Sequence, residues 1–388
     1  MTFDKLSRRQ FMKAGGLGVF GAFAFSANAW SSQNHHIKMY VGTYTSGSSE
    51  GIYGYTVVPV HGALNRFTSS KSVNPSFLAI DTSKKFLYAV NEVGQYAGKA
   101  GGGVSAFAID VEGRLRLLNE QATLGADPCY VTVDRRRKNL LVANYTGGSV
   151  TVLPIRPDGT LGMATDVKQH EGSGPKEQQK GPHAHCVILD RSERHALVAD
   201  LGIDKVMIYR FDSAKGKLIP HNQPFAELQA GAGPRHLTFH PNGKFLFVIN
   251  ELDSTITSFS YDERNGTLAH IETVSTLPSD FSGVSYCADV HVSSSGRFLY
   301  GSNRGHNSIV VFEIDQRSGK LRLVEHVSTQ GDWPRNFVLD SSNSNLLVAN
   351  QRSDTVVSFR IDRETGRLSP TGVRPEQIPS PVCLKFLD

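Results

Sequence analysis

Two histidines stand one residue apart in the stretch GPHAHC, where a β-strand is predicted to begin. Successive side chains of an extended strand point to opposite faces, so His183 and His185 should face the same side. An imidazole titrates near neutrality and can take a proton from water or bind a metal ion. The pair is therefore the first candidate for chemistry, provided that the fold brings suitable side chains beside it.

Arginines and glutamates recur near the starts and ends of other predicted strands. A His or Glu base, together with arginines that hold an oxyanion, a carboxylate or a phosphate, is a set that can hydrolyse an ester. The candidate catalytic residues are His183, His185, Arg235, Glu251 and Arg304. The candidate substrate-binding residues are His236, Arg335, Tyr44, Glu92 and Tyr145.

Several of these residues also have a purely structural interpretation. His236 could be a strand histidine with satisfied polar atoms, and His240 is expected to be one. Glu251 could be a solvated turn residue, and whether a histidine or Glu251 acts as the base stays open. An Asn that closes a strand is typical of turns in which the side chain bonds neighbouring backbone. This applies to Asn91, Asn144, Asn250, Asn303 and Asn350.

Metal and nucleotide chemistry are less well supported by the sequence. A His-x-His pair with a nearby Glu could bind zinc, but neighbouring guanidinium groups oppose a cation. The stretch GKAGGG, residues 98–103, lacks the spacing of a phosphate-binding loop and is interpreted as a flexible turn between strands. We expect neither a metal nor a cofactor.

A repeated unit must position the candidate residues. A strand-like apolar run follows an acidic or polar residue and ends in Asn or Asp ten positions later. The six copies are Asp81–Asn91, Asp134–Asn144, Asp190–Asp200, His240–Asn250, Ser293–Asn303 and Asp340–Asn350. Their starts are 47 to 56 residues apart, close to the roughly 40–50 residues of a propeller blade.

A second motif gives an independent count. Gly-x-Leu follows the third predicted strand seven times, at Gly62, Gly113, Gly159, Gly216, Gly266, Gly319 and Gly366. The strand IKMYVGTY (37–44) lacks an inner partner, and PVCLKF (381–386) lacks a following blade. Pairing the two would close a ring and remove its open edges. We therefore predict an all-β fold, a seven-bladed β-propeller of four-stranded blades, closed by its N- and C-terminal strands.

In such a ring the inner strands line a central channel, and the candidate residues gather at one mouth. Counting back from Asp190 places the start of the fourth inner strand at Ala184 rather than at Pro182. We interpret this as a strand that begins two residues early and brings both histidines to the mouth. The preceding linker, TDVKQHEGSGPKEQQK (165–180), is expected to be a surface loop or a lid.

The N-terminus resembles a twin-arginine export signal. Arg8 and Arg9 precede an apolar run from Ala14 to Phe25, and the triplet 27–29 forms an A-x-A cleavage site. The run is short of the roughly 20 residues that a membrane helix needs. We expect recognition by the twin-arginine export machinery, cleavage after Ala29, a periplasmic location without membrane insertion, and a single propeller domain over residues 30–388.

Charge and cysteine usage narrow the classes of partner. The formal net charge of +5 falls to +2 once the signal is removed, so a general nucleic-acid surface is not indicated. The cysteines at 129, 186, 287 and 383 form no C-x-x-C pair and are expected to be free thiols. No coiled-coil pattern is present, and we expect a monomer that binds a small molecule.

Several motifs together resemble a known family. YVGTYT, GPHAH, GPRHLTFHP, VINEL, SNRG and WPRN resemble, in order, the seven-bladed propeller lactonases, which include bacterial 6-phosphogluconolactonases of propeller type and fungal carboxymuconate cyclases. The resemblance implies hydrolysis of an anionic sugar lactone or a related lactone at the channel mouth. It assigns the active centre to His183 or His185, with Arg235, Glu251 and Arg304. The export signal departs from the cytosolic enzyme, whose phosphorylated substrate is a cytosolic metabolite.

Two other functions fit the same fold. A carboxymuconate-type cyclase or isomerase would use the same arginines on an unsaturated dicarboxylate. A non-catalytic propeller would present its face to a protein partner. The unequal distribution of His, Arg and Glu around the ring favours an enzyme, because a scaffold has no need for it.

Overall fold

The computed structural model describes residues 37–60, 62–96 and 98–387. The predicted export signal and its cleavage site lie outside these residues. Within them no helix has both the length and the apolar character required to cross a membrane. The prediction of free thiols is confirmed, since all four cysteines are unpaired and buried.

The described chain forms seven antiparallel sheets, each built around four strands. We number them as blades 1 to 7. Blade 1 begins with β1 (Ile37–Thr43), β2 (Gly51–Val57) and β3 (Leu64–Lys71). Blade 2 and an added hairpin comprise β4 (Leu78–Ile80), β5 (Phe86–Asn91), β6 (Gln95–Tyr96), β7 (Lys99–Ala100), β8 (Gly103–Ile109) and β9 (Leu115–Ala122). The stretch 98–103, interpreted as a flexible turn, is partly strand, because β7 includes Lys99 and Ala100 and β8 begins at Gly103.

Blades 3 to 6 follow the simple order of four consecutive strands. Blade 3 comprises β10 (Pro128–Val133), β11 (Asn139–Asn144), β12 (Ser149–Pro154) and β13 (Asp166–Gln169). Blade 4, after a single 3-10 turn at Glu177–Gln179, comprises β14 (Ala184–Leu189), β15 (His195–Asp200), β16 (Lys205–Asp212) and β17 (Lys217–Glu227). Blade 5 comprises β18 (Pro234–Phe239), β19 (Phe245–Asn250), β20 (Thr255–Asp262) and β21 (Thr267–Ser275).

The last two blades complete the ring. Blade 6 comprises β22 (Tyr286–Val292), β23 (Phe298–Arg304), β24 (Ser308–Ile314) and β25 (Leu321–Ser328). Blade 7 comprises β26 (Pro334–Leu339), β27 (Asn345–Asn350), β28 (Thr355–Ile361), β29 (Leu368–Pro370) and β30 (Glu376–Gln377). The final strand, β31 (Pro381–Phe386), is the inner strand of blade 1. The seven-bladed all-β fold is confirmed.

Ring closure joins the two ends of the described chain. β31 pairs antiparallel with β1, so that Leu384 lies opposite Val41. Beyond the strand, the backbone N–H of Leu387 donates to the carbonyl of Lys38 at 2.8 Å. Inner strands contact one another around the whole ring, including β31 with β4 and β26. The closure leaves blade 1 without an open inner edge, as its sequence complementarity predicted.

The second strand of each blade is the core of the ring. All six residues of β11 (NLLVAN) and of β19 (FLFVIN) are buried. Such strands are covered on both faces by neighbouring blades, which explains their continuous apolar runs. The exposed polar positions fall mainly on the outer strands, as in the alternating pattern of β17.

The Gly-x-Leu turns fasten each blade to its neighbour. Gly159 and Gly366 have φ of +84° and +74°, a conformation that favours glycine. A Cβ on either would lie about 2.2 to 2.4 Å from the ring of Phe86 or Phe298 in the preceding blade. The carbonyl of Gly159 accepts a hydrogen bond from Tyr88 Oη of that same blade at 3.1 Å. These positions therefore need glycine both for the turn and for blade-to-blade contact.

The structure corrects the predicted start of the fourth inner strand. β14 begins at Ala184, opposite Asp200, in the same register that pairs Pro234 with Asn250 in blade 5. The strand does not begin two residues early, because Ala184 and not Pro182 is the counterpart of the inner-strand prolines. A register shift follows directly, between Ala184 and Cys186, and recurs at the corresponding place in blade 5.

The linker before β14 is neither a lid nor a plain loop. Its first part is the outer strand β13. His170 Nδ1 lies 2.6 Å from Asp200 Oδ2 in a buried ion-pair geometry. Gln179 Nε2 donates to Asp204 Oδ1 at 2.7 Å, and Lys176 Nζ donates to the carbonyl of Leu252 in blade 5 at 2.6 Å. The segment is therefore fixed against blades 4 and 5.

Candidate active site

Three aromatic rings pack together at the inner strands. The rings of Phe77 and Tyr130 stack with centroids 4.1 Å apart. The ring of His236 meets both edge-on, at 5.8 Å and 5.2 Å. These three side chains come from the inner strands of blades 2, 3 and 5 or from the residue directly before one. We call them the floor. We call the nearby group of polar side chains from the predicted site the cup: His183, His185, Arg235, Glu251, Arg304, Arg335, Tyr44, Glu92 and Tyr145.

Glu251 joins two buried arginines at the cup. Its Oε2 lies 2.9 Å from Nε of Arg235 and 2.9 Å from Nη2 of Arg304. The first contact is an ion pair without hydrogen-bond geometry, whereas Arg304 Nη2 is a hydrogen-bond donor. Arg235 and Arg304 are only 2% and 4% exposed. Three predicted catalytic residues are thus brought together by the ends of β18, β19 and β23.

Backbone carbonyls hold both guanidinium groups in place. Arg235 Nη1 donates to the carbonyl of Ala288 at 2.6 Å, and Arg304 Nη2 donates to that of Cys287 at 2.7 Å. Arg235 Nη2 and Arg304 Nη1 bond no group in the described chain, yet they are not sealed from solvent. Each arginine therefore keeps a nitrogen available for a ligand in the cup.

The charges in this cluster influence one another. Burial raises the pKa of Glu251, but the charges of Arg304, Arg235 and Arg335 outweigh it, so the pKa lies below its ordinary value. Burial lowers the pKa of Arg304 to about 10, with Glu251 opposing the shift. Glu251 is therefore a carboxylate and Arg304 a cation at neutral pH.

His185 is a neutral imidazole at the cup. Burial, followed by the charge of Arg235, holds its pKa well below the usual value. Its ring lies 5.4 Å from that of Tyr145 and 5.3 Å from that of His236. Nδ1 lies 3.7 Å from Sγ of Cys129. Nε2 has no partner among residues 37–387 as described, and it retains solvent access.

His183 lies nearby in a different environment. Its Nδ1 is 3.0 Å from the carbonyl oxygen of Tyr145, and its ring stacks on the Tyr145 ring at 4.5 Å. Its backbone N–H donates to Asp200 Oδ1 at 2.7 Å. The two predicted histidines therefore flank Tyr145, with His183 partly exposed and His185 buried. The structure places the two histidines close together, as predicted, but the inner strand does not begin two residues early, as the sequence had suggested.

Three predicted binding residues form a second cluster across blades 7, 1 and 2. Arg335 Nη2 donates to Oη of Tyr44 at 2.8 Å, and that hydroxyl donates to Oε1 of Glu92 at 2.8 Å. The Arg335 guanidinium also lies 5.3 Å from the centroid of the Tyr44 ring. Burial lowers the pKa of Arg335, but the combined effect of Tyr44, Glu92 and Glu251 is larger and raises it. The net shift of the pKa is therefore upward, and Arg335 stays cationic.

Asp289 is the residue that sequence reasoning omitted from the site. Its Oδ1 lies 2.8 Å from His236 Nδ1, and its Oδ2 lies 3.0 Å from His291 Nε2 and 2.5 Å from Asn336 Nδ2. His236 Nε2 in turn lies 3.1 Å from Arg235 Nη1. Asp289 is the one carboxylate at the second position after the start of the inner-strand motif, which Phe, Tyr, Cys, His and Asn occupy in the other blades. That exception was the signal available in the sequence.

The remaining polar residues have structural partners. His240 Nε2 lies 2.9 Å from the carbonyl of Gly296, as a structural histidine should. Asn250 Nδ2 donates to Thr255 Oγ1 at 2.8 Å and to Thr257 Oγ1 at 3.0 Å. Across the described ranges, no three His, Cys, Asp or Glu side chains converge as metal ligands. The open donors of the cup suit an oxygen-rich or anionic ligand.

Comparison with known proteins identifies the family. Residues 38–386 match the family described as "Lactonase, 7-bladed beta-propeller". The chain is 40% identical over 354 residues to a 6-phosphogluconolactonase of Bacillus subtilis, covering 90% of this chain and 97% of that protein. It is 34% identical over 338 residues to a 6-phosphogluconolactonase of Formosa agariphila, covering 85% and 94%. The solved periplasmic gluconolactonase of Pseudomonas aeruginosa superposes with a TM-score of 0.86 at 34% identity, covering 90% and 98%. The chain belongs to the seven-bladed β-propeller lactonase family.

Proposed function

We propose that this propeller hydrolyses the ring ester of a sugar lactone in the cup. One observation carries the proposal: Glu251 fixes two arginines with open N–H groups at a mouth where neutral His185 presents an unpartnered Nε2. The relatives named 6-phosphogluconolactonase and periplasmic gluconolactonase support the reaction class.

The arginines supply the electrophilic half of the reaction. Arg235 Nη2 and Arg304 Nη1 would donate to the lactone carbonyl oxygen, which becomes an oxyanion when water attacks the carbonyl carbon. Preorganised donors of this kind contribute on the order of 10²–10³ each to the rate in other enzymes. Glu251 holds both groups in place, so they need no reorganisation as the charge develops.

His185 is the better base for the attacking water. Protonation of Glu251 would weaken two ion pairs at once, because its Oε2 serves both arginines. Protonation of His185 Nε2 breaks no existing bond. The Cys129 thiol can donate to the carbonyl of His185, at 3.5 Å, while Sγ accepts Nδ1–H. That arrangement leaves Nε2 unprotonated and directed to the cup.

His185, one water and the lactone supply every proton and electron pair that the reaction needs. Water adds its hydroxyl to the carbonyl carbon while Nε2 of His185 takes the proton. The tetrahedral intermediate collapses with cleavage of the bond between that carbon and the ring oxygen. The imidazolium then returns the proton to the leaving alkoxide, and the product is an open-chain hydroxy acid.

The experiment compares purified protein with matched variants on glucono-lactone and 6-phosphogluconolactone. His185→Ala and Arg235→Ala should each lower kcat by about 10²-fold or more. His270→Ala, an exposed histidine on β21, is the control and should retain activity. Equal rates in wild type and the two cup variants would refute the site. Ring closure of an unsaturated dicarboxylate, without lactone hydrolysis, would instead support a cyclase.

Export to the periplasm as a monomer belongs to the same proposal. The paired arginines at 8 and 9 and the periplasmic relative support it. Mass spectrometry of the periplasmic fraction should find an N-terminus at Trp30. Replacement of both arginines by lysine should retain the protein in the cytosol, and light scattering should give the mass of one chain. A precursor that reaches the periplasm unchanged despite the replacement would refute the route.

A further inference from the structure

The charge of Arg335 is already compensated inside the protein. Its guanidinium reaches the carboxylate of Glu92 through one hydroxyl, that of Tyr44. The second carboxylate oxygen of Glu92, Oε2, is buried and has no hydrogen-bond partner in the part of the chain that the structure describes. A carboxylate oxygen sheltered in this way is screened little by water or salt, so its field acts on whatever occupies the cup.

Counting the cup as a whole changes the interpretation of its arginines. Arg235, Arg304 and Arg335 carry three positive charges, and Glu92 and Glu251 carry two negative charges. The net charge of these five side chains is therefore +1, and His185 adds none because burial and Arg235 hold its pKa well below the ordinary value. A single surplus charge matches the oxyanion of the transition state and leaves none for a phosphate group, which carries about −1.5 to −2 at pH 7.

The two arginine clusters would bind different parts of the substrate. Arg235 and Arg304 share Glu251 and keep one open nitrogen each for the reacting carbonyl. Arg335 donates one N–H to Tyr44 and keeps the others for a second part of the ligand. A guanidinium whose charge is compensated by Glu92 is suited to neutral hydroxyl oxygens, because a phosphate at the same place would face the buried carboxylate.

We propose that the Glu92–Tyr44–Arg335 cluster is a specificity subsite that makes the enzyme prefer an uncharged sugar lactone over its phosphate ester. This inference rests on the proposed lactonase function. If the arginines are counted without their glutamates, they predict an anionic lactone as the substrate, and our inference differs from that prediction.

The test is the ratio of kcat/KM for 6-phosphogluconolactone to kcat/KM for glucono-lactone. Wild type should favour glucono-lactone. Glu92→Gln keeps an acceptor for Tyr44 but removes one negative charge, so it should raise the ratio by at least about tenfold, the size expected for one weakly screened charge a few ångströms away. Tyr44→Phe breaks the hydrogen-bonded link without changing the charge. This variant should lower kcat/KM for both substrates and leave the ratio close to that of wild type.

Each outcome decides the proposal. A wild-type preference for the phosphorylated lactone, or an unchanged ratio in a folded Glu92→Gln variant, would overturn it while the lactonase function stands. Hydrolysis of neither lactone would remove the proposed function and this inference together. Should Glu92→Gln fail to fold, the wild-type preference alone still decides between the two substrates.

Discussion

Glu251 and Arg304 occupy the same position in consecutive blades, each directly after the Asn of the repeated second-strand motif. In the ring their side chains meet, with Glu251 Oε2 and Arg304 Nη2 2.9 Å apart. Tyr145 and Glu92 occupy that position in blades 3 and 2. The propeller thus converts one repeated position into a set of neighbouring, chemically different side chains around one cup.

Removing the shared carboxylate should damage both arginines at once. In Glu251→Gln, Arg235 and Arg304 lose their common anion, and their guanidinium groups repel each other. We expect kcat/KM for glucono-lactone to fall about 10²-fold and the free energy of unfolding to fall by about 1–3 kcal/mol. Steady-state kinetics and urea denaturation would measure the two effects. Unchanged activity in a stable variant would contradict the positioning role.

The pH profile should report the neutral state of His185. Burial and the charge of Arg235 hold its pKa well below 6.5, so Nε2 stays unprotonated through the neutral range. We expect kcat/KM, corrected for spontaneous hydrolysis, to stay level from pH 8 to 6.5 and to fall only in more acidic solution. His183→Ala should keep this profile. An acidic limb centred near pH 7 that disappears in His183→Ala would assign the base to His183 instead.

Asp289 should stabilise the junction of blades 5, 6 and 7. Burial raises its pKa, but His291 and His236 together lower it well below 3.8. Because the folded-state pKa is the depressed one, this contribution is present above the unfolded pKa of about 3.9 and is lost as pH falls further. Asp289→Asn should lower the free energy of unfolding by about 3–5 kcal/mol at pH 7, since it removes the charge that three hydrogen-bonded partners share, namely His236, His291 and Asn336.

The control for Asp289 is Asp280→Asn, which makes the same chemical change at an exposed residue. Its free energy of unfolding should match that of wild type. The gap between wild type and Asp289→Asn should narrow when urea denaturation is repeated at pH 3. A gap that stays constant from pH 7 to pH 3 would show that the carboxylate charge is not what stabilises the junction.

Ring closure should depend on contact between the chain ends rather than on where the chain starts. Deleting residues 381–388 removes the inner strand of blade 1 and exposes the edge of β1, so we expect insoluble protein. A permutant that joins Leu387 to Ile37 by a short glycine linker and opens at the exposed turn residue Val111 keeps every strand pair. It should fold with wild-type circular dichroism and a similar Tm. A soluble, cooperatively folded deletion variant would contradict this view.

Much of the fold could be predicted because its determinants are local and repeated. Each Gly-x-Leu turn requires a positive φ that the sequence displays as glycine, and each second strand displays its burial as a continuous apolar run. The unpaired strands at the two ends revealed the closure by the same reasoning. The start of β14 was misjudged because Pro182 resembles the inner-strand prolines, whereas hydrogen-bond register and not residue type defines the position.

The amino-acid sequence by itself determined the number of blades, the closed ring and the residue types at each repeated position, because each follows from short-range periodicity. Only the tertiary structure decided which of them pair. It placed Glu251 between two arginines, Glu92 behind Tyr44 and Arg335, and Asp289 beneath His236. Those pairings join residues tens to hundreds of positions apart in the sequence. Their pKa shifts depend on distance in space and on burial, and the spacing of residues along the chain gives neither quantity.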